Sequence, residues 1–189
     1  RPKVSRLLSH ARTSGMVEIR IINVQKALSP LETQIKERFG LDAVHIVPAP
    51  ELMGEVVWLE RVARYSANYL NTILESGQIL AIAWGTTISE IASDLIPKRV
   101  PGLRIVQLNG SGNTYTPDNR YAANILQHFA QNYEANVMLF PVPTFFDYRE
   151  TKDAMWRERS VRRIIDLQHN ANVLLYSIGA VDAGVPSHV

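Results

Sequence analysis

The residues best suited to chemistry lie in short loops that each follow an apolar run. The first loop is Trp84-Gly85-Thr86-Thr87-Ile88-Ser89-Glu90. A glycine there lets the backbone come close to a ligand, and Thr86 and Thr87 add hydroxyl donors beside the free N–H groups of a helix start. The helix dipole favours an anion at that end, so the loop suits a phosphate. The same residues serve equally well as a helix cap, with Thr87 capping and Glu90 completing a capping box. Local physics leaves both readings open.

The second loop, Gln107 to Thr114, holds two glycines among amides and hydroxyls and offers Asn109 and Gly110 to a polyol. Its blander reading is a polar connection with permissive glycines. Gly110 and Gly112 begin like a dinucleotide fingerprint, but Tyr115 stands where the third glycine belongs, and no P-loop Gly-Lys-Ser/Thr occurs. NAD and ATP are not supported, and no cofactor is expected. In the third loop, Pro141 to Arg149, Phe145 and Phe146 read as a pocket wall or as core. The fourth, Gly179 to Gly184, brings Asp182, an acceptor for sugar hydroxyls. Arg157, Arg159, Arg162 and Arg163 read as a solvated helix face in preference to a binding patch. The five histidines are scattered without a His-x-x-x-His pair, and neither cysteine nor Gly-x-Ser-x-Gly is present. A binding pocket without metal or catalytic nucleophile is the expectation.

Positioning these loops requires a frame. Apolar strands are read at Ile79–Trp84, Leu103–Leu108, Asn136–Val142 and Val173–Ile178, with helical stripes between them: Ile88, Ile91 and Ala92; Ala122, Ile125, Leu126, Phe129 and Tyr133; Val161, Ile164 and Ile165. Strands apolar throughout and alternating with helices imply a parallel sheet covered on both faces. Right-handed crossovers make it a doubly wound, Rossmann-like α/β fold, whose ligands bind at the carboxyl ends of the strands. Upstream, a long helix spans Gly54 to Ser76 with Leu59, Val62, Ala63, Leu70, Ile73 and Leu74 on one side. Before it, Ser29 caps a helix from Pro30 to Arg38 with Leu31 and Ile35 inward, Gly40 stops it, and Ala43–Val47 follows as a short strand. The first residues read as an amphipathic helix on Val4, Leu7, Leu8 and Ala11, then a strand from Met16 to Ile22.

The 189 residues, 46% hydrophobic, suffice for one main domain with a small appendage. No run approaches the ~20 apolar residues that span a bilayer, and no signal-peptide core opens the chain, so no membrane role and a cytoplasmic location are expected. Charge is uneven: residues 1–20 hold five bases and one acid, the remainder fifteen bases and seventeen acids. A basic end on a near-neutral body suits nucleic-acid contact, though a frayed soluble terminus would carry it equally well.

Together these segments resemble the sugar-binding domain of SorC/DeoR-type bacterial transcriptional regulators. Residues Val4 to Ile19 look like the end of the family's recognition helix and the turn into its linker strand, and Leu31–Leu41 followed by Val44–Pro48 look like the start of its effector domain. Ala83–Thr87, Val106–Gly110, Phe140–Pro143 and Ser177–Asp182 then occur in the family's order and spacing. The resemblance implies a fold like that of sugar-phosphate isomerases and CoA-transferases, turned from catalysis to sensing. It divides the chain into a helix-turn-helix remnant at 1–15, a linker strand at 16–30 and an effector domain from 31 to 189 that continues past Val189. There a further basic residue would complete the phosphate site.

The same resemblance makes Gly85, Thr86 and Thr87 the phosphate-contacting loop, Asn109 and Gly110 the second ligand loop, Pro143 a pocket wall and Asp182 an acid lining the pocket. It assigns DNA contact to Arg1, Lys3, Ser5 and Arg6. The implied function is a DNA-binding regulator, dimeric or tetrameric, whose operator affinity changes when a phosphorylated sugar or related polyol binds. The enzymatic alternative on the same fold, a sugar-phosphate isomerase or lactonase, would need an acid/base pair, and the loops offer Asp182 and Asp147 without a histidine partner. A ligand-free interaction module is the third reading.

Overall fold

The computed structural model describes residues 4, 7, 29–49, 54–111 and 121–179. The chain divides into two compact units, residues 1–46 and 47–189. In the first, Val4 and Leu7 are helical and exposed, while the rest of the opening helix and the strand expected from Met16 to Ile22 lie outside the described residues. Helix α1 (Pro30–Phe39) is capped by Ser29 in a full capping box: the Ser29 hydroxyl accepts from Glu32 N at 3.2 Å, and Glu32 Oε2 accepts from Ser29 N at 2.6 Å. Glu32 is buried and Leu31 exposed, the reverse of the expected inward leucine. The reason is that the second Glu32 oxygen accepts from Ile46 N at 2.7 Å. That bond also explains why Ala43–Val47 is not a strand, since the amide that would enter a ladder is taken by a side chain.

In the second unit, α2 (Glu55–Ile73), β1 (Ile79–Ile82), α3 (Thr86–Ser93), β2 (Arg104–Gln107), α4 (Tyr121–Tyr133), β3 (Asn136–Met138), α5 (Arg149–Met155), α6 (Arg159–His169) and β4 (Val173–Leu175) follow in order. The four strands form one parallel sheet in the order β3-β2-β1-β4. The expected strands were longer at their carboxyl ends, because apolar sequence runs on into loops where ladder pairing has already stopped. Alternation within each strand divides the core. Leu80, Ile82 and Ile105 pack against α2, α3 and α4, whereas Ile79, Ala81 and Val106 pack with Met138 against Ile164, Leu167 and Ala171 on and just after α6. Both faces are therefore covered, as a doubly wound α/β fold requires.

Helix α2 buries Ala63, Ala67, Leu70 and Leu74, and the expected inward Val62 is exposed. Small alanines bring α2 close to α3, and the wider side chains are left on its outer side. Lys98 caps the far end, its Nζ donating to Asn71 O at 2.7 Å and Leu74 O at 2.9 Å.

Tyr133, fully buried at the end of α4, keeps a hydroxyl with no hydrogen-bond partner among the described residues. Burial pushes its pKa well above the ordinary value near 10. The folded value exceeds the unfolded one, so the protonated phenol's contribution to stability is complete below about pH 10 and declines above it. Tyr133→Phe should therefore unfold in urea at pH 8 with a stability equal to or above that of the parent, and should lose less between pH 9 and 11. A loss beyond about 1 kcal/mol at pH 8 would mean that the hydroxyl makes a bond.

Candidate functional site

In the strand order β3-β2-β1-β4, the connections from β1 through β3 run to one side of β1, and the connection from β3 to β4 returns to its other side. In open α/β sheets such a reversal marks where ligands bind, here beyond the carboxyl ends of β1 and β4. The loop after β1 is Ala83-Trp84-Gly85, and the loop after β4 contains Ser177. Ala83 N donates to Leu175 O at 2.9 Å, which continues the pairing past the end of β1. Gly85, at φ +155°, occupies a conformation that favours glycine, and a Cβ placed on it would stand 3.8 Å from Ser177 Oγ.

Helix α3 begins at Thr86 with Gly85 as its cap residue, and no side chain caps it. The alternative of a Thr87–Glu90 capping box is not formed: both threonines lie inside the first turn. Ser89 N closes the first helical bond on Gly85 O at 2.9 Å. The amides of Thr86, Thr87 and Ile88 are thus the orphan donors of the helix start, on the positive end of its dipole. Thr86 is exposed and Thr87 half-buried.

Three loops are tied together beside this helix start. Trp84 N donates to Asn109 Oδ1 at 3.3 Å, and Trp84 Nε1 donates to Gly110 O at 2.9 Å. Thr144 Oγ1 donates to the same carbonyl at 2.6 Å. Gly110 is buried so closely against Val142 and Pro143 that a Cβ would overlap both of their carbonyl oxygens. Beneath them Gln107, 1% exposed, donates from Nε2 to Asn109 O at 2.8 Å and accepts at Oε1 from Phe140 N at 3.0 Å. Its own carbonyl accepts from Gln168 Nε2 of α6 at 2.8 Å.

The structure therefore brings Gly85, Thr86, Thr87, Asn109, Gly110 and Pro143 to one end of the sheet. Asp182, Arg1, Lys3, Ser5 and Arg6 lie outside the described residues. Phe145 is exposed, while Phe146 packs edge-on against Trp156 at 5.6 Å between ring centroids and belongs to the core side. Asp147 is exposed on its loop without a hydrogen bond or ion pair among the described residues. No group of side chains able to hold a metal occurs among the described residues. Sequence reasoning passed over Gln107, Thr144 and Ser177. Gln107 had a visible signal, a lone amide closing an apolar strand, whereas Thr144 and Ser177 gain meaning only from the loops they face.

A parallel sheet with an uncapped helix start and bonded polar loops at its switch point defines a small-molecule-binding α/β domain. Comparison with known proteins makes this specific: residues 24–189 match the model of the Sugar-bind family, a sugar-binding domain, and the chain belongs to that family. It is 34% identical to the deoxyribonucleoside regulator of Bacillus subtilis over 96% of its own length and 57% of that protein's. Among solved structures, it is similar to a domain of a possible sugar-binding transcriptional regulator from Arthrobacter aurescens, at 41% identity and a TM-score of 0.72, covering 78% of this chain and 59% of that one. The full-length sorbitol operon regulator of Klebsiella pneumoniae shares the fold, with a TM-score of 0.72 at 22% identity, over 92% of this chain and 56% of that one. All three carry the name of a regulator. The chain thus spans little more than half the length of the proteins it resembles. No helix among the described residues is long and apolar enough to cross a membrane.

Replacing Gly110 by alanine tests how tightly the loops are held. Overpacking against two backbone carbonyls should cost about 3 kcal/mol in urea unfolding. A loss below about 0.5 kcal/mol would show that the loops do not meet at this distance.

Proposed function

We propose that this chain is the sensing part of a transcriptional regulator whose effector is a phosphorylated sugar or related polyol. The observation that carries this reading is the start of α3 at the switch point, which has no side-chain cap for its first-turn amides and carries two threonines there. In this reading the phosphate sits on Gly85, Thr86 and Thr87, and the sugar hydroxyls meet Asn109 and Asp182, with Pro143 and the Gly110 backbone as wall. Glycine at position 85 leaves room for an anion beside Ser177. Binding that differs in strength between two arrangements of the protein shifts their populations, and with them the affinity for operator DNA. The DNA contacts fall to Arg1, Lys3, Ser5 and Arg6, and the protein works in the cytoplasm.

A homodimer, or a tetramer built from it, belongs to the same proposal. In this reading Val62, exposed on α2, lies on the face that meets the second copy about a twofold axis.

The phosphate loop is tested by thermal shift with a panel of pentose and hexose phosphates. At a hundredfold excess over Kd the cognate compound should raise Tm by about 5–10 °C, and Thr86→Val with Thr87→Val should remove the rise. An unchanged rise in that double variant would sink the assignment. For the oligomer, Val62→Glu should sediment at half the mass of the parent; retention of the parental mass would exclude α2 as the seam.

A further inference from the structure

We infer that α6 and the start of β2 form a second anion site, for a multiply phosphorylated small molecule, separate from the loops that follow the strands. A depression of about 770 Å³ is lined by Arg104, Arg159, Arg162 and Arg163, with Asp166 as its single carboxylate. Four guanidinium charges against one carboxylate leave +3 in one concavity. The volume falls within the ~300–1,000 Å³ typical of small-molecule sites.

The sequence favoured a solvated face for Arg159, Arg162 and Arg163, and the structure gives reasons to depart from that reading. A solvated face scatters its charges and pairs them locally. Elsewhere this protein does so: Arg64 pairs with Asp94, Arg99 with Glu134 and Arg149 with Asp153. None of the four groove arginines is ion-paired among the described residues. Arg159, Arg162 and Arg163 follow at i, i+3 and i+4, so they share one side of α6. Arg104 reaches the same depression from the sheet, 55 residues earlier than Arg159 by their numbering. Convergence of cations from two elements is not what propensity or solubility alone would produce.

Around the charges stand Ile79, Met138 and Leu167 as apolar lining and the amides of Asn170 and Asn172. Asn172 Oδ1 accepts from Ile79 N at 2.8 Å, which fixes that side chain at the rim and leaves its NH2 group as a donor. Arginine forks bind phosphate oxygens in pairs, and a single phosphate would leave part of a +3 field unbalanced. Two or more phosphoryl groups on one small frame match both the charge and the span. Ile79 and Arg104 are the first residues of β1 and β2, whereas the effector loops follow the last residues of those strands. About 10 Å of sheet separates the two sites.

The test is calorimetric titration of the full-length protein with inorganic pyrophosphate and inorganic phosphate in 0.15 M NaCl. Pyrophosphate should bind saturably, once per chain, and at least tenfold tighter than phosphate. Arg162→Gln with Arg163→Gln should weaken it at least tenfold, as should Arg104→Gln from the other element, with Tm unchanged. Thr86→Val with Thr87→Val should leave it intact, which keeps this site distinct from the proposed effector loop. The inference is overturned if no saturable binding survives that salt, if the arginine variants bind pyrophosphate normally, or if the threonine variant abolishes binding. It is also overturned if pyrophosphate fails to bind while the arginine variants weaken duplex DNA binding, for the face would then belong to nucleic acid.

Discussion

Gly110 lies where three loops meet, and its missing side chain allows the backbone after β2 to touch the backbone after β3. Everything at this end of the sheet depends on that approach. The carbonyl of Gly110 accepts from both Trp84 Nε1 and Thr144 Oγ1, so the loops after β1 and β3 are fastened to the same oxygen. Gln107 repeats the arrangement one layer down, joining Asn109 O to Phe140 N through one buried amide. Buried polar groups are costly unless bonded, and here all but the Gln107–Asn109 bond run from one loop to another. The consequence is a set of loops whose positions are mutually determined, although their backbones have left the ladder.

That internal satisfaction bears on sensing. Asn109 and Gly110 spend part of their hydrogen-bonding capacity on Trp84, Thr144 and Gln107, while the first turn of α3 spends none on a side-chain cap. In the proposed reading the bonded loops would lie under the sugar and the uncapped helix start at the phosphate. A ligand joining the two would bridge β1 and β2 directly, and α6 indirectly, because Gln168 donates to both Gln107 O and Leu108 O. Helix α6 also carries the arginines of the depression near the starts of β1 and β2. One helix thus touches both polar regions of the sheet.

The sequence by itself determined the order of elements and the class of fold. Ile79–Ile82 and Arg104–Gln107 could be recognised as buried strands because apolar residues filled both faces, and the helices between them because their apolar stripes recur at helical spacing. It also put Gly85, Thr86, Thr87, Asn109 and Gly110 in loops at the ends of strands, since glycine and hydroxyl residues follow each apolar run. Those features are local, and local chemistry writes them. Errors came where a distant group took over a local preference. Glu32 went inward because Ile46 needed an acceptor, Val62 stayed out because alanines already faced α3, and the strands were read too long because apolar residues continue into the loops after them.

Tertiary structure alone decided that neither Thr86 nor Thr87 caps the helix, because Gly85 is its cap residue and both threonines fall inside the first turn. It alone set Ser177 beside Gly85, Thr144 on Gly110 and Arg104 beside Arg162 and Arg163. Each of these pairs joins residues 34 or more positions apart, a separation at which neither period nor propensity carries information about contact. Strand order supplied it: with β1 between β2 and β4, the chain brings distant loops to one end of the sheet, and only pairing in three dimensions fixes which loops those are.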